Sequence, residues 1–283
     1  MTSLLPISRP ETTVRSHLLD CIQANLAVLA DRWHGPDTHL ALGAALRFRP
    51  RTTEDGLPTV EPEMVPQVTE ACALTGMTVD ARARFTTPGQ LRDLAERNTS
   101  LYVVADAFEM PWLPYFGQRH MDHSFLVEPV GEKAIVVDAY HNQTQWGSAS
   151  PGTWELQWDE LPHRGRVMAL SPRDVETPHP VVQVEPPARY LAAYDDYPDR
   201  QRSLDRLCVE TWLLARSRAL HAAFLAAHGT RVPDEHLRRW ELLAGQAFVA
   251  MRRVQRGHAE PPGLLSTLAA LLAADPEMFR KDT

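Results

Sequence analysis

A chain of 283 residues is long enough for one large domain or two modest ones, each with a core of its own. Hydrophobic residues make up 44 % and charged residues 23 %, which excludes wholesale disorder, and a formal net charge of −7 argues against nucleic acid as a partner. The charge is uneven: 14 basic residues accompany 13 acidic ones from Val184 onward, against 15 and 23 before it, so two composition regimes predict two structural units.

The first thirteen residues, MTSLLPISRPETT, lack a basic n-region and a long apolar h-region, and no apolar run approaches the roughly 20 residues that a membrane span needs. Neither export nor membrane insertion is expected. From Asp20 to Trp33 the residues Ile22, Leu26, Leu29 and Trp33 recur at helical spacing. Asp20 with Gln23 has the form of a capping box, which makes Cys21 the first residue inside the helix, and Gly35-Pro36-Asp37 ends it. One or two further turns are predicted around Leu40–Leu46, then a loop from Arg49 to Pro62. Val65–Thr75 reads as a helix, Thr78–Phe85 as a strand, and Gly89–Arg97 as a helix with Thr87 as cap and Pro88 in its first turn.

The strongest β signal follows. Ser100–Ala105 is a short β-rich run, Ser124–Glu128 and Ala134–Asp138 form a hairpin about Gly131, and Trp154–Trp158 and Arg166–Leu170 are candidate edge strands. Helices followed by a sheet predict an α+β domain. The segment TPHPVVQVEPP contains four prolines and divides the chain, giving a front domain over 1–176, a linker over 177–187 and a helical unit over 188–283. That last unit reads as helices at about Arg200–His228, Asp234–Arg256 and Gly263–Ala273, with Asp234 capping the second.

Three widely spaced cysteines, Cys21, Cys72 and Cys208, suit reduced thiols in the cytoplasm better than a disulfide frame, and no CxxC pair suggests zinc. Cys72 and Cys208 fall on apolar helical faces and read as core. Cys21, at a helix start, is different: unsatisfied backbone N–H groups and the positive end of the helix dipole favour a thiolate and an oxyanion. The bland alternative is a small buried hydrophobe. His123 lies at a strand entrance and Asp138 at the end of the next strand. The hairpin therefore brings both to one open end, where the carboxylate can orient the imidazole and stabilise its protonated form. A surface His and a strand-end Asp are the alternative. His120 and His123 have H-x-x-H spacing, but no third ligand accompanies them, so no metal is expected. Asp106, Trp112, Tyr115, His120 and Asp122 crowd the approach to His123 and read either as a wall for a cationic acceptor or as loop packing.

The order Cys at a helix start, then His and Asp on neighbouring strands, is that of the papain-like fold. The stretch VVADAFEMPWLPYFGQRHMDHSFLVEPVGEKAIVVDAY, with His17–Gly35 upstream, resembles the N-terminal domain family of butirosin biosynthesis protein H, acyltransferases related to papain-like cysteine peptidases. The resemblance covers about residues 14–170 and rests on Asp106, Phe108, Pro114, Tyr115, His123 and Asp138, with Cys21 in the nucleophile position. It implies a papain-like catalytic domain with an all-α lid and a Cys21–His123–Asp138 triad. The implied function is acyl transfer in antibiotic or other secondary metabolism, from a carrier-protein thioester through an acyl-S-enzyme to an amine or another nucleophile.

No cofactor is implied beyond the phosphopantetheine that the donor brings, and Arg216, Arg218, Arg238, Arg239, Arg252, Arg253 and Arg256 are candidates for the dock of an acidic carrier protein. The alternative for these arginines is a solvated helix face paired with acids. The sequence departs from the family in two places. Asp20 precedes Cys21 where the family often has His, and no glutamine lies upstream, so Gln23, Asn25 or backbone N–H groups would form the oxyanion hole. Thioesterase, chain-releasing cyclase or peptidase chemistry would use the same residues, and a non-catalytic binding protein would keep the scaffold alone.

Overall fold

The computed structural model describes residues 13–98 and 101–279. All but Thr13 of the N-terminal stretch read for an export signal, and Ser100, predicted to open a strand, lie outside them. The chain divides into two compact units, Met1–Ala41 with Met64–Thr177, and Leu42–Glu63 with Pro178–Thr283. The division differs from the continuous one drawn at the proline-rich segment, because a piece of the front half belongs to the rear unit.

The first unit is α+β, with an antiparallel sheet. Its helices are α1 (Gln23–His34), α2 (Met64–Leu74) and α3 (Pro88–Ala95). Its sheet contains β1 (Met77–Phe85), β2 (Leu101–Asp106), β3 (Asp122–Val130), β4 (Lys133–Asp138), β5 (Gly152–Leu156) and β6 (Gly165–Pro172), in the order β5-β4-β3-β2-β6-β1 with every neighbouring pair antiparallel. Strand β2 is an apolar run buried from Leu101 to Ala105, as a strand covered on both faces must be. Arg166–Leu170, expected at an edge, lies inside the sheet between β2 and β1. The edge is β1, whose exposed Arg82 and Arg84 suit a strand that must not pair with another chain. The other edge, β5, ends at Leu156, and Trp158 belongs to a 3-10 turn.

Helix α1 is buried without interruption from Ala24 to Ala30, more than the single predicted stripe, and it packs on β3 and β4. The expected Asp20–Gln23 bonds form, with Asp20 Oδ1 accepting from the amides of Ile22 and Gln23 at 2.9 and 2.8 Å and Gln23 Oε1 accepting from Asp20 N at 3.3 Å. Regular helix, however, begins at Gln23, so Cys21 is not its first residue. Gly35, at φ 98°, ends the helix in a conformation that a residue with a Cβ seldom adopts. Thr87 caps α3, accepting from Gln90 N at 3.2 Å with Pro88 in the first turn.

The second unit is mostly helical: α4 (Ala188–Asp195), α5 (Arg200–Ala227), α6 (Asp234–Gln255) and α7 (Leu264–Met278). Its core joins Phe48, Leu57, Tyr190 and Tyr194 to Leu204, Leu207, Leu214, Trp240, Leu243 and Leu268. Strand Ala45–Phe48 pairs in parallel with Val181–Val184, so the proline-rich segment read as a linker contains a strand, and the turns predicted through Leu46 stop at Gly43. The loop predicted over Arg49–Pro62 contains a short antiparallel pair, Arg51–Thr52 with Pro58–Thr59. Helix α4 had no clear signal. Asp234 lies inside the first turn of α6 and pairs with Arg231 at 2.7 Å instead of capping it. No helix among the described residues is long and apolar enough to cross a membrane.

Candidate active site

Cys21 lies in the turn that leads into α1, two residues before regular helix begins, and is half-buried. Its Sγ donates to the carbonyl of Asp122 at 3.6 Å, and its own carbonyl accepts from Ser124 Oγ at 2.6 Å. Both contacts are to residues adjoining His123, so the Cys21 segment and the His123 segment of β3 meet at one seam although 102 positions separate them in sequence. Tyr102, fully buried on β2, strengthens the same seam by donating its hydroxyl to Ile22 O at 2.8 Å.

His123 is fully buried, and its Nε2 lies 2.7 Å from Asp138 Oδ2. The hairpin register is shifted from the one predicted: Leu126 pairs with Val137, and continuing it sets Asp138 across from Phe125 and Tyr140 across from His123. Histidine and aspartate are therefore diagonal neighbours on one face, still within reach of each other, and Tyr140 meets the imidazole edge to face at 5.1 Å.

Asp138 is 1 % exposed and receives four donors. Oδ1 takes the Tyr140 amide at 2.9 Å and Asn25 Nδ2 at 3.2 Å, and Oδ2 takes His123 and Trp112 Nε1 at 3.1 Å. Burial pushes its pKa up, but the attraction of His123 and these hydrogen bonds outweigh it and leave the carboxyl below its ordinary value. An ionised Asp138 can only accept, so Nε2 carries a proton, and in the neutral tautomer Nδ1 is the acceptor nitrogen. Among the described residues Nδ1 has no hydrogen-bond partner although it is sealed from solvent. A buried polar atom without a partner is uncommon in a folded protein and calls for an explanation.

Asn25 has a different place from the one expected. It is fully buried, its Nδ2 reaches Ser124 O, Ser124 Oγ and Asp138 Oδ1 at 2.8, 3.1 and 3.2 Å, and its Oδ1 accepts from Ala139 N at 2.9 Å. Its amide protons are committed, so it is not an oxyanion donor; it ties α1 to β3 and the end of β4. Gln23 spends Oε1 on the cap, which leaves Nε2 as the atom able to donate. The helix-start amides of Ile22 and Gln23, expected to be available, are held by Asp20, whose Oδ2 in turn takes Gln67 Nε2 at 2.6 Å.

Of the expected acceptor wall, Trp112 and Tyr115 are buried at 3 % and 4 % exposure. Trp112 packs against Phe125 and holds Asp138, while Tyr115 bonds Tyr140 Oη and Asn142 Nδ2 at 3.3 and 3.1 Å. Both belong to the support of the dyad and not to a surface open to a ligand. Asp106 bonds the exposed His120 at 2.6 Å, so the H-x-x-H pair is divided between two carboxylates. Among the described residues no group of three or more His, Cys, Asp or Glu side chains could hold a metal ion.

Cys72 is buried, and burial pushes its thiol up to about 11, whereas Cys208 is half-buried against the helical core. Of the seven arginines read as a dock, Arg218 is fully buried and bonds Asp275 Oδ2 through two nitrogens at 3.0 and 2.7 Å, so it cannot contribute. Ser124, Trp112 and Asn25 as supports of the dyad went unread in the sequence. For Asn25 a signal existed, a lone amide in the apolar run Ala24–Ala30, where a buried polar group must have partners. No protein-family model and no curated protein sequence matches the chain.

Proposed function

We propose that this protein is a cysteine-dependent acyltransferase with Cys21 as nucleophile, His123 as base and Asp138 as the group that orients and charges the base, on a papain-like scaffold. The observation that carries the reading is the buried, partnerless Nδ1 of His123, on a ring whose Nε2 is fixed to a carboxylate and whose two chain neighbours touch Cys21.

In the first half-reaction Nδ1 takes the Cys21 proton and the thiolate attacks the carbonyl of a thioester. The donor's sulfur leaves with the proton returned by His123, and an acyl-S-enzyme remains. In the second an amine or another nucleophile attacks that acyl group and Cys21 is released. The ion pair of protonated His123 with Asp138 lowers the cost of the first proton transfer, and four donors on Asp138 keep it anionic in a buried place. The donor in this reading is an acyl carrier protein and the compartment the cytoplasm; of the arginines read as its dock, Arg238, Arg239, Arg253 and Arg256 are exposed on the helical unit. Water or an internal group as acceptor gives hydrolysis or cyclisation with the same residues.

Intact-protein mass spectrometry after mixing with acyl thioesters tests the reading. The expected result is a mass gain that maps to Cys21 and is absent in Cys21→Ala. A second reading, a binding protein that kept the scaffold, draws on one observation: the thiol bonds a backbone carbonyl and not the imidazole. Under it no thioester acylates the protein.

A further inference from the structure

His123 is sealed, and its Nδ1 is buried with it. A second imidazole, three residues before His123, does face solvent. The side chain of His120 is 71 % exposed, its Nδ1 lies 2.6 Å from Asp106 Oδ2, and its ring stacks on Phe108 at 4.2 Å and 12°. Asp106 is itself fixed, with Oδ1 accepting the amides of Phe108 and Met121 at 3.0 and 3.2 Å. Burial raises the Asp106 pKa and the bond to His120 lowers it, and with the backbone bonds the net direction is down, so the pair holds a carboxylate. The ring is thereby clamped with one nitrogen occupied and Nε2 as the nitrogen that remains to exchange a proton.

The position follows from the register. Asp106 pairs with Asp122, and it is the Asp122 carbonyl that receives the Cys21 thiol. His120 is two residues from Asp122, a span of at most about 7 Å. Alternation along β2 sets Tyr102, Val104 and Asp106 on one face, and Tyr102 touches Ile22 O, so this is the face that carries the start of α1. The two His–Asp pairs thus lie at one end of neighbouring strands and, by alternation, on opposite faces, one enclosed and one exposed on the face that carries the start of α1.

We infer that His120, oriented by Asp106, is a second catalytic base that serves the incoming acceptor, so that acylation and deacylation use different imidazoles. The inference rests on the acyltransferase reading and deepens it. In deacylation the acceptor's N–H or O–H gives its proton to His120 Nε2 as its lone pair forms the bond to the acyl carbon. The carbon–sulfur bond breaks with its electron pair on Cys21, and the proton that His120 took returns through solvent to the Cys21 thiolate, so that both imidazoles end the cycle as they began it. The substrate class this selects is an acceptor that is neutral when it attacks and must lose a proton in doing so, a primary amine or an alcohol.

The test uses the full chain and its His120→Gln variant with N-acetylcysteamine thioesters as donors, following Cys21 acylation by rapid-quench mass spectrometry and deacylation by an added alkyl amine. The expected result is acylation within about 2-fold of wild type and aminolysis slowed about 100-fold, the lower range for loss of a general base. Hydroxylamine, which needs little base assistance, should deacylate both proteins at similar rates. Equal aminolysis in the two proteins overturns the second base and leaves the acyltransferase reading standing. An equal slowing of acylation, aminolysis and hydroxylaminolysis also overturns it, since it would mean a general loss of site structure. A wild-type protein that no thioester acylates removes both readings.

Discussion

His123 and Asp138 form a bond of 2.7 Å between side chains that are respectively 0 % and 2 % exposed. An imidazole and a carboxylate so deeply enclosed are expensive to separate, because either one left without the other is a buried polar group with an unmet bond.

Asp138→Asn tests what the carboxylate does. The new amide presents one oxygen and one NH2 to three donors that do not move (Trp112 Nε1, Asn25 Nδ2 and the Tyr140 amide) and can no longer hold a protonated imidazole. Acyl-enzyme formation is expected to slow by about 100- to 10,000-fold, the range of general acid–base catalysis, with far-ultraviolet dichroism unchanged. Because the Asp138 pKa is below its ordinary value, the stability it confers is fully present above about pH 4 and is lost on further acidification. Urea melts of the two proteins should therefore converge as the pH falls below that value.

Asn25→Ala removes the amide that joins α1 to β3 and the end of β4. It strips a partner from Asp138 Oδ1, from Ser124 and from the Ala139 amide, all buried. Unmet buried groups of this kind cost roughly 1–3 kcal/mol each before relaxation, so a loss of about 2–4 kcal/mol is expected in denaturant unfolding. Turnover should fall with it, since the thiol and the dyad would no longer be held in register. A variant with wild-type stability would mean that water replaces the amide without loss.

The fold and the site were unequally legible in the sequence. The α1 cap, the Thr87 cap and the β3–β4 hairpin follow from local chemistry, which the chain writes within four or five residues. Strand β6 was read as an edge and the helical unit as starting after a linker, because strand order and the parallel pairing of Ala45–Phe48 with Val181–Val184 depend on contacts between distant segments. At the site, residue types and spacing pointed to the thiol and to the histidine–aspartate pair. The supports did not follow, since Trp112 in a loop and Asn25 in a helix become partners of one carboxylate only after folding. The expected acceptor wall failed for a related reason: aromatic residues near a site are equally suited to line it or to pack beneath it, and burial decides between them.

Differential thiol labelling separates an activated cysteine from a packed one. Cys72 is 3 % exposed with its thiol pushed up to about 11 by burial, so at pH 8 only about one molecule in a thousand has the reactive thiolate there. Iodoacetamide is expected to modify Cys21 at least about 100-fold faster than Cys72, read by peptide mapping. Asp138→Asn should narrow that ratio by slowing Cys21 alone. Equal rates at the two cysteines would favour the binding-scaffold reading.

The helical unit has a titration of its own. Glu210 on α5 is fully buried and accepts from Thr59 Oγ1, the Val60 amide and Tyr190 Oη at 2.6, 2.6 and 3.1 Å, all neutral donors. Burial is the largest influence and drives its pKa up to about 7 despite those bonds and the pull of Arg206, with the Tyr190 and Tyr194 rings beside it. A carboxyl harder to ionise when folded than when unfolded makes the native state hold the extra proton between about pH 4.5 and pH 7. Its contribution is thus fully present below about pH 4.5 and is lost as the pH rises through about 7, an effect of about 3 kcal/mol at most. Glu210→Gln cannot ionise. The stability advantage of wild type over this variant, from urea unfolding at intervals from pH 4.5 to 8, should shrink steadily and level off above pH 7. An advantage that stayed constant or grew with pH would show that Glu210 is already ionised at the acidic end, its three donors having overcome burial.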